Sequence, residues 1–253
     1  MDKYTGYKIN LIKKEKVGDA YPEITPDKYN ESLCKIAKEI LQKENEIGFG
    51  GSADVYRDPV RGNNLCYKFI NRQEPLDHEP EDEAAFMMEL DGIHPIVRVP
   101  EPLATMKIRK VLENGKIVTV KVLVMEKIDG YTLQELCDNP NLLPDTYNHE
   151  EFFKNLKSFI LEMHTKNIHH RDLHSKNIMI ESKTGYPVVI DFGRSTRVYT
   201  SEENPYVQDC LVPDKYDGRL KNETKILKPD LEFLNKNELE MSKFAKVDKK
   251  VVI

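Results

Sequence analysis

Tryptophan is absent from the 253 residues, and cysteine is sparse, at four. Cys34, Cys66, Cys137 and Cys210 are too widely separated in the chain for any two to form a zinc knuckle or a redox pair. They read as reduced thiols of a protein that works in a cytosol. No apolar run reaches the ~18 residues of a membrane span, and Met1-Asp2-Lys3-Tyr4-Thr5 lacks the apolar core of a secretory signal. Charge of one sign is not concentrated either: 38 Lys and Arg stand against 43 Asp and Glu, for a net charge of −5. That balance gives no electrostatic case for a nucleic-acid or membrane-surface partner. Lysine pairs such as Lys13-Lys14 and Lys249-Lys250 read as solvated surface. There is no internal repeat and no low-complexity block.

What is present suits a soluble globular chain, 39% apolar and 32% charged, forming one large domain or two small lobes. Residues 1–26 are polar. Leu33, Ile36, Ala37, Ile40 and Leu41 then fall at helical spacing, which predicts a helix over roughly 27–43. Alternating segments at Glu46–Val55, Leu65–Ile70, Met106–Glu113 and Ile117–Met125 predict strands, with a hairpin turn at Asn114-Gly115. A helix is expected from Glu81 to Leu90. The second half is more helical. Phe152, Phe153, Leu156, Phe159, Ile160 and Met163 mark a helix within Asp145–Asn167, and another is expected from Pro229 to about Val247. Ile178–Ile180 and Val188–Ile190 read as short strands around a turn at Lys183-Thr184-Gly185.

Four motifs carry chemistry. The stretch Gly48-Phe49-Gly50-Gly51-Ser52-Ala53-Asp54-Val55 can bring backbone N–H groups close to phosphate oxygens, because a side chain at Gly48 or Gly50 would collide. Lys68 lies mid-strand in Leu65-Cys66-Tyr67-Lys68-Phe69-Ile70, where a buried ammonium is costly unless paired. Asp172 and Asn177 lie in His170-Arg171-Asp172-Leu173-His174-Ser175-Lys176-Asn177, and Asp191 opens Asp191-Phe192-Gly193 after an apolar run. Each aspartate alone could be a cap or turn residue. Together, in this order, they point to phosphoryl transfer.

These motifs resemble those of the protein-kinase superfamily, over roughly residues 45–195. The resemblance implies an α+β, bilobal fold. Residues 1–44 would be an N-terminal extension with one helix, 45–128 an antiparallel-sheet N-lobe, and 129–253 a reduced, mainly helical C-lobe. It implies ATP and Mg2+ as cofactors and a protein substrate phosphorylated on Ser or Thr. Asp172 would be the catalytic base, with Lys68, Asn177 and Asp191 as further catalytic residues. Asn177 and Asp191 would hold the metal, since hard oxygen donors suit Mg2+. Gly48, Gly50, Gly51, Ser52, Val55, Cys66 and Lys68 would contact the nucleotide, with Met125 at the back of an adenine pocket and Met179 as its floor. Glu126 and Ile128 would offer backbone groups to the base. Glu83 is the expected helical partner of Lys68, with Glu81 and Glu89 as rivals. Phe192 would pack on Met87 and His170.

The family pattern is incomplete. His174 stands where protein kinases commonly carry lysine, and small-molecule phosphotransferases often carry histidine there. Only about sixty residues follow Gly193, without an Ala-Pro-Glu or an aspartate–tryptophan–glycine helix, which implies a shortened C-lobe. Ser195, Thr196, Tyr199, Thr200 and Ser201 read as surface rather than regulatory phosphosites. The glycine loop has a weaker similarity to the OspG and NleH type of bacterial effector kinase, which implies delivery into a host-cell cytosol. A host or cellular partner would then be the activator. Two alternatives stay open: a small-molecule kinase of the aminoglycoside or choline type, and a pseudokinase scaffold.

Overall fold

A computed structural model describes residues 3–12, 40–49, 53–59, 64–70, 79–197, 199–201, 204–209 and 229–245. Most of the expected helix over 27–43, together with Gly50, Gly51, Ser52, Cys34, Cys210 and residues 212–214, lies outside them. The chain divides into two compact units, Met1–Met88 with Pro100–Ile128, and Glu89–Val99 with Asp129–Ile253.

The first unit is built on a six-stranded antiparallel sheet. Its strands are β1 (Lys3–Leu11), β2 (Glu46–Phe49), β3 (Ala53–Arg57), β4 (Leu65–Ile70), β5 (Pro102–Val111) and β6 (Ile117–Glu126), in the order β1-β5-β6-β4-β3-β2. Helix α1 (Pro80–Leu90) begins in this unit. Strand β1 was not expected, since residues 1–26 read as polar. Its backbone pairs along β5 from Lys3 opposite Val111 to Leu11 opposite Ala104, so these residues belong to the sheet rather than to an extension apart from it. The alternation of Tyr7, Ile9 and Leu11 with Lys8 and Asn10 was the available signal.

Directly opposed residues share a sheet face, and residues two apart in a strand share it too. Tyr67, Phe69, Ala104, Met106, Ile108, Val122 and Val124 lie in one buried cluster, closed by Ile40, Leu65 and Leu103. Tyr67 Oη donates to Asp58 Oδ2 at 2.9 Å, which satisfies the hydroxyl inside this core. The ladder turns the alternate residues to the other face. Val55 opposes Lys68, Lys68 opposes Leu123, and Cys66 opposes Met125. One register therefore gathers Val55, Cys66, Lys68, Leu123 and Met125 on a common side.

The second unit holds β7 (Gly130–Thr132), α2 (Leu133–Asp138), α3 (His149–Thr165), β8 (Ile168–His169), β9 (Ile178–Glu181), β10 (Pro187–Val189), β11 (Thr196–Arg197), β12 (Tyr199–Ser201), β13 (Asn204–Asp209) and α4 (Pro229–Ala245). Helix α2, absent from the sequence reading, starts with a Thr132/Glu135 capping box. Asn148 caps α3, which buries Phe152, Phe153, Leu156, Phe159, Ile160 and Met163 as one stripe. The stripe stops at Asn167, whose φ of 59° turns the chain into β8. Strands β7, β9 and β10 form a second sheet, closed so tightly at Gly130 that a Cβ there would lie 2.2 Å from the Ile180 carbonyl. Helix α4 buries Asp230, Leu234, Asn237 and Met241, spaced four, three and four, so one face carries two polar groups inward.

Candidate active site

The first unit supplies an ammonium and its counter-charge. Lys68 Nζ donates to both carboxylate oxygens of Glu83, each at 2.8 Å, and the two side chains are 7% and 2% exposed. Of the three glutamates considered for this role, Glu83 is therefore the partner in space. Glu81 lies 3.5 Å from Lys107, and Glu89 binds both terminal guanidinium nitrogens of Arg197 within the second unit. Burying an ion pair costs several kcal/mol per ion before the mutual attraction is counted, so stability alone is a weak reason to keep one.

The same sheet face has features that fit a nucleotide. A Cβ added at Gly48 would touch Val55 at an ordinary 3.5 Å, so the protein's own packing does not require glycine there. Ile128 is buried, and its backbone N–H and C=O have no hydrogen-bond partner among the described residues. Glu126 differs. Its N–H already donates to the Glu101 carbonyl at 2.9 Å, and its carbonyl accepts the Cys66 thiol at 3.6 Å. Burial pushes the Cys66 thiol up to about 12, so it is an inert wall and not a nucleophile. Met125 is half-buried at the end of β6.

The second unit supplies the acidic residues. Asp172 sits on a loop held from three sides. Asp230 of α4 accepts the backbone N–H of His170 at 2.9 Å and of Arg171 at 2.8 Å. Asn237, two turns along the same face, donates to the Leu173 carbonyl at 3.1 Å. Asn177 Nδ2 donates to the Asp172 carbonyl at 2.8 Å. Arg171 adopts φ 67° and Asp191 φ 65°, a left-handed backbone that ordinary residues avoid. Strain of this kind persists where surroundings over-determine it, as at sites of function. The buried His170 ring packs on Phe192 at 4.8 Å and bonds the Ile190 carbonyl through Nε2 at 2.9 Å. Ile190 N–H in turn bonds the Asn177 carbonyl at 3.0 Å, which couples the segments bearing Asn177 and Asp191. Asp191 is exposed and accepts from Gly193 N–H at 3.3 Å. An amide oxygen and an exposed carboxylate are donors that suit Mg2+. Met179 is half-buried in β9.

Asp172 Oδ2 has Nε2 of His174, already marked by the sequence, and Nη1 of Arg194, which the sequence did not mark, each at 3.8 Å. Asp230 and Asn237 were not singled out, although their seven-residue spacing on one helix face was a usable signal.

His164 Nε2 lies 3.0 Å from Asp230 Oδ2, and the buried His169 ring stacks on His164 at 4.1 Å. These three residues bring potential metal-ligating atoms within 4.8 Å of one another. Two stacked rings cannot both lie edge-on to one ion without breaking the stack, and Asp230 already serves two backbone amides. The cluster therefore acts as a clamp on the loop. Burial pushes the Asp230 carboxyl up, but the His164 hydrogen bond, the neighbouring histidines and the Arg171 amide outweigh it and hold the group below its usual range.

Burial first, then the neighbouring His164, lowers the His169 imidazole from 6.5 to about 4. A histidine held neutral in the fold takes up its proton more readily when unfolded. Its contribution to stability is therefore complete above about pH 6.5 and is lost as pH falls from there toward 4. Urea denaturation at pH 7 and pH 5 is expected to differ, and His169→Phe is expected to remove about 1–2 kcal/mol of that difference. An unchanged pH profile in the variant would contradict the assignment.

The match to a family model now has a structural basis. The model for the protein kinase domain matches residues 41–216. The chain is 31% identical over 182 residues to sperm motility kinase 2B of Mus musculus, covering 68% of this chain and 34% of that protein. It is 27% identical over 191 residues to CBL-interacting protein kinase 9 of Oryza sativa, covering 68% of this chain and 38% of that one. The chain belongs to the protein kinase family, and its fold is the α+β arrangement of that family. It spans about a third of the length of these curated relatives. No helix among the described residues is long and apolar enough to cross a membrane.

Proposed function

We propose that the chain is an ATP-dependent, Mg2+-requiring kinase that phosphorylates Ser or Thr hydroxyls of proteins. The observation that carries this reading is the buried Lys68–Glu83 pair, a desolvated charge arrangement with no stability rationale of its own. Glu83 holds the Lys68 ammonium in place for the phosphates of ATP. Gly48, Gly50, Gly51 and Ser52 offer backbone N–H groups to the same phosphates, while Val55, Cys66, Met125, Ile128 and Met179 face the base. Asn177 and Asp191 hold Mg2+. When bound, the ion neutralises charge that builds on the phosphate oxygens. Asp172 orients the acceptor hydroxyl and takes its proton, and the Asp230 and Asn237 anchors keep its loop in register.

Incubation with labelled ATP, Mg2+ and generic protein acceptors is expected to give label on Ser or Thr of the acceptor or of the chain itself. Label on neither would count heavily against the reading.

His174 beside Asp172 favours a second reading, phosphorylation of a small hydroxylated metabolite. Turnover of ATP with such a compound, without protein labelling, would reverse the order of the two. An activating partner is a further proposal that rests on the shortened C-lobe read from the sequence, and delivery into a host cytosol as an effector is one that rests on the glycine-loop similarity.

A further inference from the structure

We propose that Lys107 and Lys121 form a clamp that seats helix α1, and that they are positioning residues for the Lys68–Glu83 pair. Lys107 on β5 and Lys121 on β6 are direct cross-strand partners. Lys121 lies two residues from Leu123, which opposes Lys68, so both lysines share the Lys68 face of the sheet. Two like charges directly opposed on a sheet repel. Here the residue just before α1 supplies the counter-charge. Glu79 binds Lys121 through one carboxylate oxygen, and its other oxygen lies 3.4 Å from Lys107. Glu81 adds a second contact to Lys107, at 3.5 Å.

The contact bears on Glu83 because the two are rigidly joined. The Glu79 carbonyl accepts the N–H of Asp82 at 2.9 Å and of Glu83 at 3.2 Å, so it starts the helical turn. Glu79 and Glu83 are four residues apart, the spacing that puts side chains on one helix face. The turn therefore meets the sheet at two charged points, one at Lys68 and one at the lysine pair. The Lys121 hydrogen bond is the first cause that holds the Glu79 carboxyl below its usual range, and the Glu81 charge is the first that holds Lys107 above its own. Lys121 is the more buried lysine, with its side chain 14% exposed, so this end of the clamp is partly shielded from water. A single exposed ion pair does little, whereas a network with a shielded member can shift a helix between two positions.

The inference rests on the kinase reading only for its effect on rate, and the test separates the two. Amide hydrogen exchange across residues 80–88 and the kcat and KM for ATP would be measured in the full chain. The variants are Lys107→Met/Lys121→Met, Glu79→Lys and the charge-reversed Glu79→Lys/Lys121→Glu. The double methionine variant is expected to speed exchange across α1 about tenfold and to lower kcat about three- to tenfold. KM for ATP should change less. Charge reversal should restore both relative to Glu79→Lys, and Lys116→Met on the exposed β5–β6 turn should alter neither.

Unchanged exchange in the double variant overturns the clamp. Faster exchange with unchanged kcat overturns the positioning role. A wild-type chain that transfers no phosphate leaves exchange to decide the clamp, and the failure then falls on the kinase reading. Should the double variant not fold, Lys121→Gln tests the same contact with a smaller perturbation.

Discussion

Alanine at Asp191 is expected to lower phosphate transfer by about 10³-fold or more and to remove the Mg2+ dependence of nucleotide binding. The residue sits in left-handed backbone, next to a turn whose amide its carboxylate accepts, and Phe192 beside it is completely buried. A side chain held this way is pre-positioned, and its carboxylate is exposed to a ligand. Asp172→Asn is expected to behave differently. It should lower kcat by about 10²–10⁴-fold while nucleotide affinity changes little, because the role proposed for it is toward the acceptor proton. Measuring ATP affinity with and without Mg2+ alongside the transfer rate distinguishes the two. Equal loss of Mg2+-dependent affinity in both variants would contradict the assignment of roles.

The second large effect concerns the buried ion pair. Glu83→Ala leaves the Lys68 ammonium buried without its partner, and is expected to cost about 3–5 kcal/mol of stability in denaturant titrations. The double variant Lys68→Met/Glu83→Leu removes both charges and keeps much of the volume. Its stability is expected to match or exceed that of the wild type, while phosphate transfer is lost. A pair kept only for structure would give the opposite pattern, with activity surviving in the apolar double variant. Thermal or urea unfolding run beside a labelled-ATP assay decides between them.

Much of this was legible in the sequence because the relevant signals are local. The apolar stripe of α3 and the alternation around Lys68 are periodicities that the backbone geometry fixes. The motif residues Asp172, Asn177 and Asp191 sit at close spacing on segments whose short strands bracket them. The choice of Glu83 over Glu81 and Glu89 was harder, since all three lie on one helix. It depends on which of them meets the lysine on β4, the strand before the helix, and the other two are bound to Lys107 and Arg197 instead.

What stayed hidden depends on long-range contact. The spacing of Asp230 and Asn237 marks a shared helix face, but nothing in it tells that the Asp230 carboxylate holds the backbone at residues 170 and 171. The stacking of His169 on His164 depends on where α3 ends and β8 begins. Strand β1 was obscured by its charged neighbours. Its place is set by pairing with β5, and its own composition only weakly suggests it.

A strand has two sides, so what matters along β4 is parity. Lys68 reaches its partner only while an even number of steps separates it from Cys66, and from every other residue on that side. Adding or deleting one residue inside β4 would turn the ammonium toward the core and bring an aromatic ring up in its place. Two-residue changes would keep the side but move the lysine by one repeat along the ladder. For this segment, length is as strict a requirement as chemistry.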